Sequence, residues 1–298
     1  MSKKILIVGN RRYIGSRLTQ ILDNDYAVSG IDIGWYDTIQ EKVDYRNLSR
    51  DFLKNFNVII VLAGHSSVKS CAGDITGPWL NNVTNFSELI EKVDDQLVIY
   101  SSSSSVYGNN SPEQMHVEKT VNFRPVNNYD ITKYALDLVA HQAITNGKKV
   151  VGLRYGTVNG WAPNLRVDVM INSMVHSAIN TGKVFITNNT INRALLGIED
   201  LGRAVKSIIE NPKPGIYNLA SFNTEVGTIG EIVAEKLNVE LIENDPIPGV
   251  YDFKLDCSLF ANTFNFSFKE TPEAIIEGLV KQFNTSKCFR RDQYVVYQ

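Results

Sequence analysis

The chain is short of the residues that staple or metallate a protein. Its three cysteines, Cys71, Cys257 and Cys288, are odd in number and far apart, so no disulfide framework is implied. Its four histidines, at 65, 116, 141 and 176, are equally scattered, and no Cys or His pair has metal-ligand spacing. No metal site is expected. Charge of one sign is also missing: 30 Lys and Arg face 32 Asp and Glu, a formal net charge of −2. Without a basic block there is no electrostatic case for nucleic acid or an anionic membrane surface. No apolar run could span a bilayer, and the opening "MSKKILIVGN" reaches strand too quickly for a signal peptide. A reduced, cytoplasmic setting is the expectation.

What is present suits a large buried core. The 298 residues are 43% hydrophobic and 21% charged, enough for one large domain or a domain with a smaller partner. Short apolar runs at 3–9, 26–32, 58–64, 96–102 and 148–155 read as buried strands. Between them lie helix candidates: one carrying Ile14, Leu18, Ile21 and Leu22 at helical spacing, then 48–55, 79–92 and 129–145. Such alternation predicts a doubly covered parallel sheet, an α/β fold. Beyond about residue 156 the alternation loosens, which predicts a smaller domain interleaved with the last strands of the sheet.

The first loop, "ILIVGNRRYIGSRL", sets Gly9 at a strand end and Gly15 inside the start of a helix. A phosphate-binding loop needs glycines where the chain turns tightly and where backbone approaches pyrophosphate at the positive end of the helix. Asp32 ends the next strand, where a carboxylate can accept from adenosine ribose hydroxyls and repel a 2′-phosphate. The competing reading is a turn and a helix-packing glycine with no ligand. Arg12, preceded by Arg11, stands where the middle glycine of such loops normally sits.

"YSSSSSVYG" (100–108) could be a serine spacer. Its flanks say otherwise: the apolar run "QLVIY" leads in and Val-Tyr follows, so the serines end a strand, where ligands bind in open α/β sheets. If the run stays extended, Ser101, Ser103 and Ser105 share a face. Downstream, "NNYDITKYALD" puts Tyr129 and Lys133 one turn apart on a helix. Tyr13 and Arg17 share that spacing without the context. A free tyrosine, with a pKa near 10, is too weakly acidic for base catalysis at neutral pH. A lysine ammonium one turn away, with a cationic nicotinamide, favours the phenolate, and a serine hydroxyl can hold the substrate oxygen beside it. A serine nucleophile lacks its G-x-S-x-G elbow.

With these residues in place, the chain resembles the extended short-chain dehydrogenase/reductases, and among them the NAD-dependent sugar-nucleotide epimerase/dehydratase family, over nearly its whole length. The resemblance implies a Rossmann-type parallel sheet, with residues 1–156 forming the NAD-binding domain, aided by segments around 190–220. Residues 157–298 would form mainly the sugar-nucleotide domain. It implies NAD contacts from Gly9, Arg11, Arg12, Tyr13, Ile14, Gly15 and Asp32, with Asp44 of "VDYRN" on adenine. Leu62, Ala63 and Gly64 would wall the cofactor, Asn82 match the asparagine of that family's helix, and Tyr155 of "LRYGTVNG" line the nicotinamide. Ser103, Tyr129 and Lys133 match the catalytic residues, the last two also touching cofactor. Ser103, Ser104, Ser105 and Thr157 would face the sugar, and Asn172 and Arg193 the diphosphate, though a helix cap and a surface ion pair are alternatives for that last pair.

Departures from the family narrow the chemistry. Arg12 replaces a glycine, Thr157 an asparagine of many UDP-hexose epimerases, and "IPGVYDFKLD" lacks an arginine that many members aim at the nucleotide. Ser104 and Ser105 stand where 4,6-dehydratases of this kind carry Asp-Glu, and Ser104 where epimerase-reductases carry cysteine. What remains is epimerisation, or oxidation and reduction, at C4 of a nucleotide-diphosphate sugar through a 4-keto intermediate, by a homodimer. The rival expectations are a non-catalytic NAD-binding sensor or scaffold, for which Arg12 speaks, and a dehydrogenase of a small polar alcohol.

Overall fold

The structure, a computed structural model, describes residues 2–34, 41–108, 115–119 and 127–285. The first half runs β1 (Lys4–Val8), α1 (Tyr13–Leu22), β2 (Ala27–Ile31), α2 (Arg50–Leu53) and β3 (Val58–Val61). Then come α3 (Thr76–Pro78), a π-helical turn (Trp79–Thr84), α4 (Asn85–Lys92), β4 (Leu97–Ser103), β5 (Met115–His116) and α5 (Asn128–Thr145). Next are β6 (Val150–Tyr155), β7 (Thr157–Asn159), α6 (Met170–Thr181), β8 (Lys183–Thr187), β9 (Asn192–Gly197), α7 (Ile198–Glu210) and β10 (Gly215–Leu219). The chain closes with β11 (Phe222–Glu225), α8 (Val226–Leu237), β12 (Glu240–Asn244), β13 (Lys254–Leu255), α9 (Ser258–Phe264) and α10 (Pro272–Thr285).

Six strands make one parallel sheet in the order β10-β6-β4-β3-β1-β2. Because side chains alternate along a strand, Ile5 and Ile7 of β1 pack toward α1 and α7, and Leu6 and Val8 into the opposite layer with α4 and α5. Both faces are thus covered, as the near-continuous apolar strands predict. Chain order reverses direction at β1, with β2 on one side and β3 on the other. Ligands of such sheets bind at the carboxyl ends of the strands flanking that switch. Gly9 and Leu62–Gly64 occupy those ends.

Two sequence-based helices differ in detail. The 48–55 segment is helical only over Arg50–Leu53, where Ser49 caps it by accepting from Phe52 N–H at 3.1 Å. The 79–92 segment is continuous, but its first turn is π-helical, a register shift that apolar spacing does not encode. Past β6, a separate apolar cluster gathers Ile171, Val175, Val184, Ile229 and Leu279 from α6, β8, α8 and α10. Asp200 at the start of α7 clasps the later chain, accepting from Lys269 and Glu270 N–H and from Ser221 hydroxyl. Among the described residues, no helix is long and apolar enough to cross a membrane.

Candidate active site

The loop after β1 closes tightly. Gly9 has φ +89°, and a Cβ there would sit 2.8 Å from Ala63 N; a Cβ at Gly15 would collide with the Gly9 carbonyl. Arg12 holds the N-cap of α1 without capping it by its side chain, and instead donates from Nη1 to the Gly64 carbonyl at 3.4 Å. Asp32 is oriented by backbone: Oδ1 accepts from Gly34 N–H at 2.8 Å and Oδ2 from Arg11 N–H at 3.3 Å. Opposite it, Asp44 accepts from Arg46, whose hydrogen bonds hold the carboxyl below its ordinary range. Ile31, Ile33, Val43, Tyr45 and Ala63 wall the space between the two acids. A carboxylate at the end of the second strand, a helix N-terminus and an apolar slot fit a dinucleotide.

A second cavity adjoins this one at Gly9 and Arg12. Ser101–Ser105, Tyr129, Lys133, Tyr155, Thr157 and Arg193 line it, with Tyr13, Ile14, Gly15 and Leu62 on the cofactor side. Strand β4 ends at Ser103, whose Cα pairs with Tyr155 of β6. There the chain turns into a 3-10 helix, Ser104–Tyr107, so the extended run assumed for Ser101, Ser103 and Ser105 does not hold. The turn folds Ser105 back: its hydroxyl lies 2.8 Å from Ser103 Oγ and its N–H donates to that oxygen at 3.2 Å.

Helix α5 is capped by Asn127, whose side chain accepts from Asp130 N–H at 3.1 Å, and carries Tyr129 and Lys133 on its cavity face. Tyr129 and Ser103 line the same cavity. Burial pushes its phenol up to about 12, while Ser103 and Arg166 pull it down. Lys133 donates to the Ser101 carbonyl at 2.8 Å, with its Nζ 5.9 Å from the Tyr129 ring centroid. Burial lowers its ammonium to about 8, opposed by Asp137. A buried ion pair backs the helix: Arg154 Nε donates to Asp137 Oδ2, and Tyr100 OH to Asp137 Oδ1, both at 2.8 Å.

Not every expected residue faces the cavity. Asn172 is fully buried and engaged, Oδ1 accepting from Gly160 N–H at 2.9 Å and Nδ2 donating to the Arg166 carbonyl at 2.8 Å. It braces the loop before α6, together with Tyr13, whose hydroxyl donates to the Gly160 carbonyl at 2.8 Å. Asn82 likewise turns inward, accepting from His65 N–H at 2.8 Å and donating to Thr132 Oγ1 at 3.0 Å; Asn81 and Asn85 line the slot instead. Arg11 offers backbone, its carbonyl accepting from Asn164. Arg193 does line the cavity and donates to Thr157 Oγ1 at 3.3 Å. Among the lining residues outside the expected set are Arg166, ion-paired with Asp168 at 2.8 Å, and Tyr251, whose hydroxyl donates to Asp130 Oδ2 at 2.6 Å. Arg166 lies within "PNLRVDVMIN", so its segment was visible while its place in the cavity wall was not.

The chain is similar to known proteins in both sequence and fold. The chain is 25% identical over 236 residues to Protein CapI of Staphylococcus aureus, covering 70% of each. It is 27% identical over 179 residues to a UDP-glucose 4-epimerase of Streptomyces lividans, 54% of each. It superposes on a UDP-glucuronic acid 4-epimerase from Bacillus cereus, in complex with UDP-glucuronic acid and NAD, with a TM-score of 0.81. That match has 23% identity and covers 94% of this chain and 99% of the other, a likeness of fold. Residues 5–220 match the family pattern itself, and on that match the chain belongs to the NAD dependent epimerase/dehydratase family.

Proposed function

We propose that the protein binds NAD and acts at C4 of a nucleotide-diphosphate sugar through a 4-keto intermediate, as a C4 epimerase or a C4 dehydrogenase. The observation that carries this is that Ser103, Tyr129 and buried Lys133 line one cavity, continuous with the dinucleotide slot. In this reading Gly9, Ile14, Gly15, Asp32, Asp44, Leu62, Ala63 and Tyr155 hold the cofactor, and Arg12 lies against its pyrophosphate. When bound, NAD supplies a hydride acceptor and a positive charge beside the phenol. Tyr129 takes the C4 hydroxyl proton, Ser103 fixes that oxygen, and Lys133 and Arg166 supply positive charge from the protein side. Arg193 receives the diphosphate, with Thr157 and the Ser104–Ser105 turn toward the sugar. Asn172 and Asn82 act as braces rather than contacts.

The relatives named for UDP-sugar epimerisation support a UDP-linked substrate, so these head the screen. Residues 1–156 with the 190–220 segment serve the cofactor, and 157–298 mainly the sugar nucleotide. We further assign a homodimer, supported by exposed Trp79, Leu80 and Leu138 on α5 and the helix packed against it. The deciding experiment is Tyr129→Phe. NAD binding should persist while turnover falls by roughly two orders of magnitude or more, the usual worth of a positioned acid/base. Undiminished turnover refutes the assignment.

A further inference from the structure

The dinucleotide slot contains a buried polar atom that the surrounding fold does not satisfy. Asn85 opens α4 on the wall of that slot and is only 2% exposed. Its Nδ2 donates to Asn81 Oδ1 at 3.3 Å. Its Oδ1, by contrast, is buried with no hydrogen-bond partner among the described residues. A buried carbonyl oxygen left unpaired is unfavourable, and one on the wall of a ligand slot finds its donor on the ligand.

The rest of the slot suits a flat base. Ile31, Ile33, Val43 and Ala63 give it apolar walls, and Asp44 reaches it as a carboxylate held by Arg46. Asp44 and Asn85 Oδ1 are both acceptors, and they ask for an amine on the base edge. A base bearing a carbonyl oxygen there would set acceptor against acceptor.

We propose that Asn85, together with Asp44, reads the base of the dinucleotide by accepting from the exocyclic amine of adenine. This rests on the NAD-binding reading above. The test is calorimetric titration of the full-length protein, freed of co-purified nucleotide, with NAD and with nicotinamide hypoxanthine dinucleotide. The second ligand carries a carbonyl oxygen in place of that amine and, with it, a proton on the neighbouring ring nitrogen. Wild type should bind NAD at least about tenfold tighter, and Asn85→Leu, close in size but without an acceptor, should narrow the ratio at least about threefold. Asn85→Ala replaces it if the leucine variant does not fold. Equal affinities in wild type, tighter binding of the hypoxanthine form, or a ratio unchanged in the variant each overturn the proposal. Failure of wild type to bind either dinucleotide overturns the cofactor reading, and this proposal with it.

Discussion

The Ser103 hydroxyl lies in the cavity with the Tyr129 phenol and 2.8 Å from the Ser105 hydroxyl, so Ser105 reaches the candidate base only by way of Ser103. Ser101 serves the site through its carbonyl, which any residue would supply to Lys133. Ser103→Ala should therefore cost roughly a hundredfold or more in kcat/KM on the sugar nucleotide that binds, as for a lost oxyanion-type donor. Ser105→Ala should cost about tenfold or less, having lost only a hydrogen bond to Ser103. A damaging Ser105→Ala beside a silent Ser103→Ala would reverse the assignment. Tyr129 and Lys133 were legible because their spacing is local. Arg166 was not, because its effect on Tyr129 depends on two segments meeting across the cavity.

Helix α5 carries its charge into the core at a cost. Lys133 is 5% exposed and its ammonium falls from the usual 10.5 to about 8. Between those values the unfolded chain binds the proton and the native chain does not, so native stability rises with pH across that window. Below about pH 8 the penalty is complete, on the order of 3 kcal/mol. Denaturant unfolding of wild type and Lys133→Met should show this as a rise from pH 8 to 10.5 in their stability difference, favouring wild type. A flat difference would mean that Lys133 keeps an ordinary proton affinity. At this scale the strands were legible from apolar runs, and α5 from its Tyr-x-x-x-Lys opening. The π-helical turn at Trp79–Thr84 was not, since one shifted hydrogen-bond register leaves the apolar pattern intact.

For the whole molecule, Leu138 is 54% exposed on α5 while Trp79 and Leu80 are 39% and 38% exposed on the helix beside it. Apolar groups grouped on adjoining elements favour burial against a second copy. Sedimentation velocity should find a dimer, and Leu138→Glu should shift it toward monomer without loss of the fold; a wild-type monomer at tens of micromolar would refute it. By itself the sequence determined the parallel α/β architecture, the tight loop at Gly9, the acid at Asp32 and the Tyr129–Lys133 pair. Each follows from short-range periodicity or from a backbone demand confined to a few residues. Tertiary structure alone decided that the chain turns after Ser103 and folds Ser105 back onto it, that Asn82 and Asn172 turn inward as braces, and that Asn85 and Arg166 line the cleft. Those orientations depend on packing between segments far apart in the chain, where a neighbour's hydrogen bonds, and not the residue type, select the face a side chain presents.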